Sequence, residues 1–375
     1  MVKTRLHIGW LWSSIILMVL TACSSSDDKA DRKPTMLTIY VYSPEHPMLT
    51  RSDVGPVNAT EAENKVTSLQ IWVYDGVGNR VGYLNTKETA TLNAGEGALY
   101  QIPVPDDFAK NKPNVDVYVM ANVTSETCGI TPADFTESTS RTNLQDKAKI
   151  VEPHFGLSSL TTVVPDDGLP MAGVLKDQPV IGDAPVLRIG TQSDIATVKL
   201  TRAVSKLRFV FANTAGTSAK NLSITGITLN AGMIPNEEYL FPQAQALEYN
   251  SVSASLLSTP IAEVVKKENP EVYVYNAETQ TAQDYENLLN GAGLTEVGAY
   301  YLRESDRKLE GTISYQIEGE EQPLEATFRM RESDFKRNHS WIVYAYYEGL
   351  SGMQVQLVDV TPWEEKDATH TVYNW

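Results

Sequence analysis

From residue 36 onward, apolar and polar positions alternate in short runs. Leu37, Ile39 and Val41 alternate with Thr38, Tyr40 and Tyr42, which gives an extended strand one aliphatic face. Leu69-Gln70-Ile71-Trp72-Val73-Tyr74 comes next. Asp75-Gly76-Val77-Gly78-Asn79-Arg80 follows, then residues 81–84, a pattern that predicts a hairpin. Further strands are predicted over residues 115–122, 195–211, 222–229, 272–276, 297–302, 311–317, 340–347, 353–360 and 369–375. A short helix fits residues 143–149, and residues 169–173 read as a break in the pattern. Short strands parted by turn-rich stretches predict an all-β chain with minor helix, arranged as β-sandwiches. At 375 residues the chain is long for one core. Two β-rich halves are therefore expected, residues 52–194 and 195–375, with no repeat motif between them.

The first residues carry a different signal. Lys3 and Arg5 precede an apolar run over residues 9–20, and Leu20-Thr21-Ala22-Cys23 closes it. That order predicts a secretory signal peptide, residues 1–22, ending in a lipobox whose Cys23 takes a thioether-linked lipid. The run is 12 residues long, short of the roughly 20 needed to cross a hydrocarbon core. The expectation is an exported, lipid-tethered protein of a bacterial envelope, with residues 24–29 as a polar tether.

Composition narrows the partners. The chain is 42% hydrophobic and 21% charged, with formal net charge −16, so the clustered Lys and Arg that neutralise phosphate are lacking and no nucleic-acid partner is expected. Of two cysteines, one is committed to lipid. Cys128 then has no partner for an internal disulfide and reads as a small core residue.

Candidate chemistry is thin. His154, His339 and His370 lie far apart, and none of H-E-x-x-H, C-x-x-C or G-x-S-x-G occurs. Gly76, Gly78 and Gly82 imitate a phosphate-binding fingerprint, but they link two strands and no helix follows. The pairs Asp106-Asp107, Asp166-Asp167 and Glu320-Glu321 are adjacent, and neighbours on an extended chain point to opposite faces. The chain reads as non-enzymatic, with no metal and no cofactor.

Four ordered stretches resemble the fimbrillin family, the pilin subunits of Bacteroidales fimbriae. Residues 35–42 followed by Leu49-Thr50-Arg51-Ser52 resemble the family's first strand and its processing loop. Residues 200–209, Leu-Thr-Arg-Ala-Val-Ser-Lys-Leu-Arg-Phe, resemble the strand that begins its C-terminal half. Lys336-Arg337-Asn338-His339-Ser340-Trp341 resembles the approach to a late strand. Val360-Thr361-Pro362-Trp363, with the terminal Trp375, resembles the tail of stalk subunits.

The resemblance implies two transthyretin-like β-sandwich domains and a structural role in a cell-surface fimbria. It implies an outer-membrane precursor, lipidated on Cys23, whose propeptide of residues 23–51 holds the first strand. A trypsin-like, Arg-specific protease would cut between Arg51 and Ser52 and release the strand bearing Leu37, Ile39 and Val41. Another subunit's tail would then supply a donor strand from Met353, Val355, Leu357, Val358, Val360, Trp363, Val372, Tyr373 and Trp375. The implied partners are further copies together with anchor and tip proteins.

On residues alone, Arg51 reads first as an ordinary loop arginine, and the tail reads first as the last strand of its own sandwich. Two other readings stand beside the stalk: an anchor or tip subunit, and a non-polymerising surface lipoprotein that binds glycans through some of its 18 tyrosines and six tryptophans.

Overall fold

The alternating runs become strands that pair mostly out of sequence order. The computed structural model describes residues 34–44, 60–86, 92–93, 95–216, 220–243, 246–249, 251–266, 294–330, 335–349, 352–361 and 369–374. Cys23, Arg51, Ser52, Trp363, Trp375 and the strand expected at 272–276 lie outside those residues.

The first half runs β1 (Met36–Tyr42), α1 (Glu61–Asn64), β2 (Leu69–Asp75), β3 (Arg80–Asn85), β4 (Gly97–Pro103), α2 (Asp106–Asn111) and β5 (Val115–Ala121). It continues through α3 (Ser125–Cys128), α4 (Arg141–Lys147), β6 (Lys149–Val151), β7 (Met171–Gln178), β8 (Val180–Asp183), β9 (Val186–Ile189), β10 (Thr197–Lys199) and β11 (Thr201–Arg202). Two five-stranded sheets result. One holds β8, β9, β1, β10 and β4, and the other runs β11-β7-β5-β2-β3.

Their facing sides make one apolar core. Leu37, Ile39, Val41, Ile102, Leu187 and Val198 come from the first sheet, and Ile71, Val73, Val117 and Val119 from the second. The outer face of the second sheet is buried too. Trp72, Tyr74, Tyr118 and Met120 pack there against Cys128, Leu144, Phe135 and Phe241. This explains why residues 71–74, Ile-Trp-Val-Tyr, are continuously apolar rather than alternating.

The second half comprises β12 (Val204–Asn213), β13 (Leu222–Leu229), β14 (Glu237–Tyr239), β15 (Ala254–Ser255), β16 (Thr295–Arg303), β17 (Glu310–Ile317), β18 (Leu324–Arg329), β19 (Ser340–Tyr347), β20 (Met353–Thr361) and β21 (Thr369–Asn374). A sheet ordered β16-β12-β19-β20-β21 faces one ordered β15-β13-β17-β18. Leu207, Phe209, Ile224, Ile227, Ile313, Trp341 and Val343 fill the space between them. β6 pairs with β14 as a two-stranded ribbon that ties the first half to the second. Strand makes up 48% of the structure against 9% helix, so the all-β reading with sandwich-like layers holds.

Two sequence expectations need correction. Residues 169–173 do not simply break the pattern, because Met171, Ala172 and Gly173 open β7. A side chain at Gly173 would meet Val198 Cγ1 at 2.6 Å and Lys199 O at 2.8 Å. The glycine there reflects a close approach between sheets, one of the uses of glycine inside a strand. The run 195–211 is likewise not one strand. β10 and β11 complete the first pair of sheets, and β12 enters the second.

Candidate functional site

The first strand is the feature around which a function can be built. β1 lies in the middle of its sheet with both hydrogen-bonding edges used. Along one edge all seven residues pair antiparallel with β4, from Met36 opposite Pro103 to Tyr42 opposite Gly97. The other edge is shared by two parallel partners. Met36–Thr38 lies against β9, and Tyr40–Tyr42 lies against β10. Removing β1 therefore leaves β4 with no strand partner among the described residues, and leaves β10 joined to the β9–β8 pair only through the turn at 190–195, where Ala196 N donates to Ile189 O at 3.0 Å. The strand acts as the filling of a slot.

The ends are pinned by main-chain bonds. Met36 N donates to Pro185 O at 2.8 Å, Ser43 N to Glu96 O at 2.9 Å, and Leu200 N to Tyr42 O at 3.0 Å. Ser43 Oγ donates to Asn93 O at 2.6 Å. Leu37, Ile39 and Val41 point inward and are fully buried. At about 1.5–3 kcal/mol per buried aliphatic side chain, the three contribute about 5–9 kcal/mol. Tyr40 and Tyr42 sit on the opposite face with ring centroids 6.4 Å apart. Gly97 makes room for the Tyr40 ring, whose atoms a Cβ at that position would strike.

The tail is the second half of the expected device. β20 pairs antiparallel with β19 over its first eight residues, Met353 opposite Tyr347 through Val360 opposite Ser340. β21 folds back on β20, with Tyr373 opposite Leu357 and Val372 opposite Val358. Met353 and Val355 are buried in the core of the second half. In this chain on its own, then, residues 353–361 and 369–374 form the end of their own sheet. β1 and the tail are not brought together.

Between the halves lies a buried polar network that the sequence reading did not anticipate. Thr60 caps α1 in a reciprocal box with Glu63, whose carboxylate accepts from Thr60 N at 2.7 Å. That same carboxylate faces Lys206 Nζ at 2.8 Å and accepts from Tyr301 Oη at 2.5 Å. Burial alone would push the Glu63 carboxyl up. The Lys206 charge and the bonds from Lys206, Tyr301 and Thr60 overcome it and hold the group below its ordinary value. The one sequence signal for this network was the Thr60-x-x-Glu63 spacing of a capping box.

A second cluster surrounds Arg337, which donates to Glu304 Oε1 at 2.8 Å, Tyr239 O at 2.7 Å and Leu240 O at 3.0 Å. Glu238 lies 2.8 Å from the same guanidinium. Burial raises the Glu238 carboxyl to about 8 despite Arg337. A pocket of about 280 Å³ opens beside these groups.

The remaining sequence candidates take structural places. Cys128 is fully buried at the end of α3, and burial pushes its thiol up to about 12, which suits a packed residue rather than a nucleophile. His339 stacks on Trp341, ring centroids 5.9 Å apart. Gly76 and Gly78 lie in the β2–β3 turn, where Asp75 Oδ1 accepts from Val77 N at 3.1 Å and Asn79 N at 2.8 Å. Among the described residues no group of three or more His, Cys, Asp or Glu side chains is placed to hold a metal ion.

A central first strand within stacked β-sheets defines the class by its fold, a β-sandwich protein. Residues 48–202 match the family model of the major fimbrial subunit protein (FimA). That match runs from just past β1 to the end of β11, and it shows the likeness to fimbrillins that the sequence motifs suggested. Among solved structures, the chain is similar to the C-terminally truncated tip fimbrial protein Mfa3 from Porphyromonas gingivalis. The identity is 12%, coverage is 90% of this chain and 100% of that one, and the TM-score is 0.47. It is also similar to a fimbrial assembly protein from Parabacteroides distasonis, at 14% identity, 92% and 100% coverage and TM-score 0.44. No curated protein matches the chain.

Proposed function

We propose that this protein is a structural subunit of a cell-surface fimbria that polymerises by exchanging β1 for the tail strand of another copy. The observation that carries the reading is the seat of β1. It is short, central, hydrogen-bonded on both edges, and joined to α1 by a connection that contains Arg51. A cut after Arg51 leaves β1 attached to its slot by non-covalent contacts alone. A strand supplied by another chain regains the same main-chain bonds and fills the same inward positions.

In this reading the precursor is lipidated on Cys23 and held in the outer membrane. A trypsin-like, Arg-specific protease cuts between Arg51 and Ser52. The stretch from Met353 to Trp375 supplies the donor, and the partners are further copies with anchor and tip proteins. The chain catalyses nothing in this role, since its work is done by strand pairing.

One observation favours a second reading. The tail is already paired on its own sheet, as suits a subunit that receives a strand without giving one, or an anchor that keeps its lipid. The intact mass and N-terminal sequence of the protein sheared from cells, with an unboiled gel, separates the two. A start at Ser52 without lipid, and a ladder of multimers, is the expected result. A lipidated Cys23 start and a single monomer band would overturn the polymerising reading.

A further inference from the structure

The slot of β1 and the sheet that carries the tail are joined by one run of backbone. Within residues 197–213, β10 pairs with β1, β11 with β7, and β12 with β19. β19 in turn holds β20, Ser340 lying opposite Val360. Leu200 N donates to Tyr42 O, so the last residue of β1 is bonded immediately ahead of β11.

Where this run leaves the first pair of sheets, Arg202 is fully buried. Its Nε donates to Glu63 O at 3.2 Å, one terminal nitrogen to Asn64 Oδ1, and the other to Asn338 Oδ1 at 2.7 Å. Asn338 stands at φ +60° just before β19. Around it, Asn338 N donates to Val204 O, Lys206 N to His339 O, and Ser205 Oγ to Lys336 O. Residues 202–206 thus grip residues 336–339 through both main chain and side chain. Through Glu63 and Asn64, the same arginine holds α1.

A buried guanidinium is costly unless its donors are met, so this cluster has few satisfactory arrangements. An element with few arrangements transmits displacement instead of absorbing it. We infer that the Arg202–Asn338 clamp couples the seating of β1 to the hydrogen bonding of β20 on β19, so that loosening β1 loosens the tail strand. Its use rests on the strand-exchange reading, in which opening of the slot and release of the donor become one event. The coupling itself is a property of the single chain, and linkage makes it reciprocal.

Amide hydrogen exchange on the full chain tests it, comparing wild type, Ile39→Ala, Asn338→Gly and the double variant. Ile39→Ala weakens the seat of β1. Asn338→Gly removes the acceptor, while glycine keeps the positive φ without strain. With the clamp intact, Ile39→Ala is expected to speed exchange several-fold at both β4 and β20 and to leave β13 and β17 unchanged. With Asn338→Gly, the rise at β4 persists and the rise at β20 disappears.

Arg202→Lys, which keeps the charge but cannot reach three acceptors, is the second variant and should give the same loss of transmission. A rise confined to the first half in every background would overturn the coupling. So would an equal rise at β20 with or without the clamp, or a uniform rise that includes β13 and β17. Failure to find polymers on cells would sink the strand-exchange reading and leave this result standing.

Discussion

The two strands at the ends of the chain are held in opposite ways. β1 is central, and it joins β4 on one edge to β9 and β10 on the other. β21 is an edge strand whose only strand partner among the described residues is β20. A central strand with three fully buried aliphatic side chains does not fray, because leaving costs hydrogen bonds on both edges and the whole of its apolar burial. An edge strand that ends a sheet gives up one row of bonds and is the ordinary place for chain-to-chain pairing to begin. The strand that is held on both edges is the first one described, and the strand open to outward pairing is the last.

The largest effect is expected from striking β1. Ile39→Asp places an unpaired carboxylate in the core of the first half and should prevent that half from folding, seen as loss of the cooperative thermal transition. Ile39→Ala, a milder version, should cost about 2–5 kcal/mol in denaturant unfolding. If β1 were a loosely added strand, both changes would be nearly silent.

Next in size is the network between the halves. Glu63→Gln leaves Lys206 buried without its counter-charge, which should cost about 3–5 kcal/mol at neutral pH. The sign of the pH dependence follows from the depressed carboxyls. Burial works against the ionised forms of Glu63 and Glu304, but Lys206 and Arg337 respectively outweigh it, so both carboxyls lie below the ordinary 4.5. Groups lowered in the folded state contribute stability that is present above pH 4.5 and lost as the pH falls through their folded values. Melting temperatures between pH 7 and pH 3 should therefore drop below about pH 4.5, and the drop should be shallower in Glu63→Gln.

Smaller still is the tail. Ending the chain after Thr361 removes β21 and leaves β20 paired with β19, so the melting temperature should fall by only a few degrees while any multimer ladder disappears. A fall as large as that of Ile39→Ala would mean that the tail belongs to the core of its own half. Gly97→Ala is the finest probe. It crowds the ring of Tyr40 and should cost about 1–3 kcal/mol by overpacking, with its thermal and denaturant shifts restored in part by Tyr40→Phe.

Much of the strand inventory was legible because alternation marks a half-buried strand. β1, the β2–β3 hairpin, β13, β17, β20 and β21 all show it or carry turn signals at their ends. What was not legible is non-local. Nothing in residues 36–42 announces that two different strands share one of their edges in parallel, since pairing partners leave no trace in a strand's own pattern. β19 reads as an apolar run because both of its faces are covered: Trp341 and Val343 lie in the sandwich core, and Ile342 and Tyr344 are buried on the other side. Arg202 looked like part of a family-like strand, and its burial among Glu63, Asn64 and Asn338 depends on residues more than 130 positions away. A buried guanidinium of that kind can be found only once the fold is in hand.

The claim most in need of direct measurement is that β1 occupies an exchangeable slot. The purified chain, cut by trypsin between β1 and α1 while still folded, can be incubated with a synthetic peptide of residues 353–375 and followed by native mass spectrometry. The account predicts that the fragment bearing Leu37, Ile39 and Val41 departs and one peptide takes its place, with no exchange before the cut. A cut chain that keeps its fragment and takes up no peptide would contradict it.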